Sequence, residues 1–175
     1  MYDLDTPRFT SSQVARAAGM SLNTFRTNFM RGHFQMVGES IAPAERHGVP
    51  HHFGLRDAIG FAIVGELVRC GVGPRDAWEA AMWGFAHTGT EDRNPGELFN
   101  YGDHGMTMML YWPATKTSRV VPMALDKMAL EFGELFMPQG YNRVNGVVVV
   151  MLDFIYKTIV ATLEDNAAVV AAAEG

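Results

Sequence analysis

The chain has 175 residues, 48% of them hydrophobic and 19% charged, which is enough apolar surface for a buried core and excludes wholesale disorder. Its 14 Lys and Arg against 19 Asp and Glu give a formal net charge of −5, a balance that argues against a surface coated in positive charge for non-specific nucleic-acid binding. The single cysteine, Cys70, excludes an internal disulfide and a cysteine-based zinc site, and no cofactor or metal is expected. The first residues carry neither the basic region nor the apolar stretch of a signal peptide, and the apolar stretch 146–163 is interrupted by Asp153 and Lys157. The expectation is a cytoplasmic protein without a membrane span.

Thr10, Ser11 and Ser12 ahead of the Ala-rich run 13–18 predict a short capped helix, ended by Gly19 where a left-handed residue is wanted. Ser21 predicts the cap of a second helix over 22–31, with Leu22, Phe25 and Phe29 on its inner stripe and Gly32 at its end. Residues 33–53 alternate at Phe34, Gln35, Met36 and Val37, then meet Gly38, Pro43, Gly48 and Pro50, which predicts two short strands around an irregular loop. A helix over 55–70 turns Ile59, Ile63 and Leu67 inward. Gly71 and Gly73 break it, and Pro74 opens a further helix to about residue 85, with Trp78, Met82 and Phe85 as its apolar stripe.

Residues 87–105, rich in Gly, Thr, Asn, Asp and Glu around Pro95, read as a linker. Beyond it, 106–112 and 119–122 predict a hairpin, 124–136 a helix, and 147–152 a strand fit for burial on both faces. A final helix starts near Asp153 and runs to about Leu163, with an Ala/Val tail that extends or frays. The expected fold class is mainly α with small β: a helix-turn-helix region over 6–86, the linker, and a small α+β module over 106–175.

Charge is distributed unevenly along this plan. Between Thr6 and Gly60 stand six arginines and only three acids, whereas from Gly89 onward eleven acids face six basic residues. Guanidinium groups suit bidentate contacts to phosphate and to guanine edges. The run from Ser11 to Phe25 also has helix-turn-helix spacing: Ala15 is small where one helix crosses the other, and Gly19 turns the chain four residues later. Val14, Ala18, Met20 and Phe25 would fill the angle between the helices. The outer face of the second helix would then present Asn23, Thr24, Arg26, Thr27 and Asn28, with Ser21 at its start and Arg31 at its end, and none of these is acidic.

These residues carry a family resemblance. The run Phe9-Thr10-Ser11-Ser12-Gln13-Val14-Ala15-Arg16-Ala17-Ala18-Gly19-Met20-Ser21, followed by Arg31-Gly32-His33 and by Phe53-Gly54-Leu55-Arg56-Asp57-Ala58, resembles the MerR-type winged helix. The later Leu67-Val68-Arg69-Cys70-Gly71-Val72-Gly73-Pro74 is similar to the step before that family's regulatory helix. The likeness covers about residues 9–85. It implies a recognition helix, a wing and a further helix pair, and it extends to phage and prophage variants such as excisionases and small terminase subunits. The chain departs from the family in three ways. Thr27-Asn28-Phe29-Met30 replaces the usual Arg-Tyr-Tyr-Glu, the segment 34–52 is long for a wing, and the dimerising coiled-coil helix is absent.

The expected function is therefore a sequence-specific transcriptional regulator that binds double-stranded DNA as a homodimer joined through its C-terminal half. Arg26 is the candidate for base-edge contact and Arg31 for phosphate; Ser21, Asn23, Thr24, Thr27 and Asn28 support them. Arg46 and His47 stand where a wing tip could reach the backbone or minor groove, with Glu45 opposing. Alternatives are a phage-type packaging or recombination accessory factor, and a protein-interaction module that no longer binds DNA.

Other features point elsewhere less specifically. His51 and His52 would face opposite sides of a strand, which is poor geometry for a metal. Trp78, Trp83 and Phe85 fit a core or an effector pocket, and Cys70 reads as a small buried apolar residue. No glycine-rich phosphate loop, nucleophile elbow or metalloprotease helix motif is present, and Asp103-His104 lies in the linker, so an enzyme is not expected.

Overall fold

A capping box starts the first helix. The Thr10 backbone N–H donates to Gln13 Oε1 at 2.8 Å, while Thr10 Oγ1 accepts from the Gln13 N–H at 3.4 Å. From there the computed structural model describes residues 3–35, 41–42, 51–123, 135–136 and 144–173 of the chain. Helix α1 (Ser11–Ala17) follows strand β1 (Phe9–Thr10) and is joined to α2 (Leu22–Met30) by a short turn. Gly19 sits in that turn at φ +67°, a conformation that L side chains rarely adopt. Ser21 caps α2, its Oγ accepting from the Thr24 N–H at 3.0 Å.

Strands β2 (Ile41–Ala42) and β3 (His52–Phe53) come next, and the three short strands form an antiparallel sheet in the order β1-β3-β2. Helix α3 (Leu55–Arg69) is the centre of the molecule. It is buried on nearly every side, from Leu55 through Gly65 to Leu67, as a helix apolar all round must be. The close approach of α1 depends on Gly65, where a Cβ would collide with the Ala18 carbonyl oxygen. Phe25 and Phe61 stack edge to face at 4.8 Å, and Phe29, Phe34 and Phe53 complete an aromatic cluster that holds α2 and the sheet onto α3.

Helix α4 (Pro74–Ala81) begins with its proline at the first helical position and passes into a π turn (Met82–Ala86). The His87 N–H closes that turn on the Met82 carbonyl, five residues back, at 2.8 Å. The π turn is the correction to the expected uninterrupted helix. It leaves Trp78 and Phe85 buried but turns Trp83 out to 52% exposure.

The expected hairpin is present as β4 (Met106–Trp112) and β5 (Thr117–Met123), in register from Met106 opposite Met123 to Trp112 opposite Thr117. Strand β6 (Val148–Met151) pairs with the other side of β4, giving the order β5-β4-β6. The central strand is thus β4, buried from Thr107 to Trp112, whereas β6 is an edge with Val149 43% exposed. A β-branched run marks a strand but does not say which strand takes the middle of the sheet. Helix α6 (Leu152–Ala173), numbered after the short α5 (Tyr101–His104), packs on α1, α3 and β4. Asp153 anchors it by accepting the Thr107 N–H at 2.6 Å. The helix expected over 124–136 lies outside the described residues apart from its last two positions.

The whole is mixed α+β, with six helices and two three-stranded antiparallel sheets among the described residues. One hydrophobic core includes Val14 of α1, Ile63 of α3, Tyr111 of β4 and Leu163 of α6, so it runs across the expected boundaries near 86 and 106. Residues 87–105 are packed in their own right: Arg93 and Phe99 are buried, and the Gly96 N–H donates to the Phe85 carbonyl at 3.0 Å. Their turn-forming residues fold the segment against α3 and the π turn. Cys70, expected inside, is exposed, because α3 leaves the core after Leu67.

Candidate nucleic-acid interface

The outward face of α2 is set by the phase of Phe25. With Phe25 held in the aromatic cluster, residues three and four positions apart on the opposite side must point away from the core. Asn23, Thr24, Arg26 and Arg31 are exposed, and Thr27 and Asn28 are half-buried. Neither Arg26 nor Arg31 forms an ion pair among the described residues. The sequence has no acid between Asp5 and Glu39, so this face carries no carboxylate of its own. Met30 belongs to the same stripe at 82% exposure. Its apolar character concealed it in the sequence, although its place seven residues after Asn23 sets it on the outer side.

The polar residues of the face are not equally available. Ser21 Oγ lies 2.8 Å from Thr24 Oγ1 while it accepts the Thr24 N–H, so both hydroxyls serve the helix start. The Asn28 amide donates to the Thr24 carbonyl at 3.1 Å. Among the described residues, Asn23, Arg26, Thr27 and Arg31 make no such bond. Arg46 and His47, expected at a wing tip, lie outside the described residues.

The turn that orients α2 is braced from below. Arg69, at the end of α3, is held by Glu66 through contacts of 2.7 and 3.2 Å. That hydrogen-bonded carboxylate raises the arginine's pKa from its ordinary value. Its guanidinium lies under Gly19, where an added Cβ would come within 2.8 Å of Nη1.

Two further polar groups sit inside the fold, and neither was singled out as buried in the sequence. Asp57 is inaccessible in the first turn of α3, where the helix dipole favours a carboxylate, and its Oδ1 lies 3.2 Å from His87 Nε2. Arg93 is 4% exposed. Its guanidinium donates to the carbonyls of Phe85, Thr88, Asn94 and Glu97, and burial pushes its pKa down from the ordinary arginine value against the opposing charge of Glu97. Arginine commonly reads as surface, so only the tertiary structure reveals this role.

Among the described residues no group of three His, Cys, Asp or Glu side chains comes together as a metal site would require. Nor is any helix there long and apolar enough to cross a membrane. Asp103 accepts from the Asn100 amide at 2.6 Å and is exposed, while the His104 ring lies against Phe99. No protein-family model matches the chain, and a comparison with curated proteins finds no relative.

Proposed function

We propose that this chain is a sequence-specific DNA-binding protein, a transcriptional regulator that lays α2 in the major groove of double-stranded DNA. The observation that carries this reading is the acid-free outer face of α2, with Arg26 and Arg31 in no ion pair among the described residues, on a helix whose entry angle is fixed by Gly19 and the Phe25 cluster. In that role Arg26 reaches a base edge and Arg31 a phosphate, with Asn23 and Thr27 beside them. Met30 supplies an apolar surface of the kind that meets a thymine methyl group. The chain order β1, α1, α2, β2, β3 suits a winged helix-turn-helix of the MerR-like type, with β2 and β3 as the base of the wing. A single short recognition helix covers few base pairs, so the protein acts as a homodimer on two half-sites about 34 Å apart, joined through its C-terminal half.

Selection from a random duplex library, followed by anisotropy titration at several salt concentrations, tests the proposal. A recovered motif should bind with a steep salt dependence. Arg26→Ala should weaken that site about tenfold and relax the motif at one position. Arg31→Ala should weaken all duplexes alike and lower the salt slope by about one. If no motif is enriched and neither variant changes binding, the proposal is overturned.

A further inference from the structure

A cleft among the described residues lies far along the chain from α2. It measures about 430 Å³ and is bounded by the π turn, the 88–93 turn and β5, a volume within the range of small-ligand clefts. We propose that this cleft binds a small planar molecule bearing a single carboxylate.

The shape comes from Trp83 and from the close seating of β5. The π turn places Trp83 in the wall of the cleft at 52% exposure. Beside it, Gly84 lets β5 approach so closely that a Cβ would meet Ser118 Oγ. A large indole left in water at the mouth of a cavity is an apolar surface on which a flat ring stacks.

The charge comes from two arginines. Arg93 forms part of the lining and is buried, yet no carboxylate lies within ion-pair distance of it among the described residues. Its four hydrogen-bond acceptors are neutral carbonyls, and its Nε has no hydrogen-bond partner among the described residues. Glu97 acts on it only through space, and a buried cation without a direct ion pair projects its field into the adjoining space, where the dielectric is below that of water. Arg119 adds an exposed guanidinium from β5, and Asp92 opposes both from an exposed position. The described lining residues thus carry one net positive charge, with Glu97 outside the lining, which fits a monoanion better than a phosphate. The Thr88 and Thr90 hydroxyls, which make no hydrogen bond among the described residues, are free to donate to the ligand's oxygens.

This site stands independently of the DNA-binding reading. Isothermal titration calorimetry of the full chain with naphthoate, and with naphthalenemethanol as a neutral counterpart, tests it directly. The carboxylate should bind saturably and about tenfold more tightly than the alcohol, the factor expected of one charge-assisted contact. Trp83→Leu should remove most of the binding of both compounds. Arg119→Gln should reduce the preference for the carboxylate, and Asp92→Asn should increase it. Thermal melts of the three variants, all at exposed positions, verify that the fold is kept. Should Trp83→Leu fail to fold, Arg119→Gln and Asp92→Asn decide alone. Equal affinity for the two compounds, absence of saturation, or unchanged binding by the Arg119 and Asp92 variants would overturn the proposal.

Discussion

Arg26 and Arg31 stand on the solvent face of α2 without an ion-pair partner among the described residues, whereas Arg56 and Arg93 work inside the fold. Arg56 bonds the Asp5 carboxylate at 2.7 and 3.0 Å and also donates to the carbonyls of Ala86 and Pro95. It thereby ties the N-terminal segment to the far end of the π turn. The basic excess of the first third therefore has two sources that composition cannot separate. Asp5 immediately precedes this arginine-rich stretch, and the fold brings it back as a direct counter-ion to Arg56. What distinguishes the α2 surface is less its count of arginines than the absence, among the described residues, of any carboxylate paired with them.

Substitutions can break or sharpen this contrast. The largest effect should come from Phe61→Ala, at the base of the aromatic cluster. A loss of about 3–5 kcal/mol in denaturant unfolding is expected for a buried phenylalanine. Because one core joins α1, α3, β4 and α6 among the described residues, near-UV circular dichroism and tryptophan emission should follow a single transition. Two separated transitions would show that the halves fold as independent units.

Arg93→Ala should follow at about 2–4 kcal/mol, since it strips four carbonyls of a charged donor in a buried setting. Arg26→Ala, measured in the same unfolding assay, should lie within about 0.5 kcal/mol of the parent. Comparable losses in the two variants would erase the distinction between interior and surface arginines. Gly19→Ala should cost about 1–2 kcal/mol, through its positive φ and the crowding against Arg69. It should weaken DNA binding beyond that loss by tilting α2. A similarly small effect belongs to Arg75→Ala on α4, whose exposed pair with Glu79 at 3.1 Å should contribute no more than about 0.5 kcal/mol.

Much of the frame was legible because its signals are local. Thr10 with Gln13, Gly19, Ser21 and Pro74 each mark a helix end by a backbone requirement that acts within a few residues. The limits of α1, α2, α3 and β4 follow from such marks together with hydrophobic period. The candidate face of α2 was legible for the same reason, as the complement of the Phe25 stripe. What escaped depends on distant partners. Nothing near Asp57 in the sequence announces His87, and nothing near Arg93 announces that carbonyls from Phe85 to Glu97 will converge on it. The turn residues of 87–105 are equally suited to a free linker and to a packed loop, and only the opposing surface of α3 selects the second. Strand β6 failed in a related way, because sheet order is set by which strand finds two neighbours.

The π turn has one more consequence, for sequence comparison. A helix whose hydrogen bond closes over five residues holds one residue more than an α-helical turn at the same place. A homologue shorter by a single residue between 82 and 86 would continue as an ordinary α-helix. His87 and everything after it would then shift by one position against α3, separating the ring from Asp57 and withdrawing the indole from the cleft. A one-residue gap at that point should therefore mark a branch of homologues that keeps the α2 face and lacks the cleft.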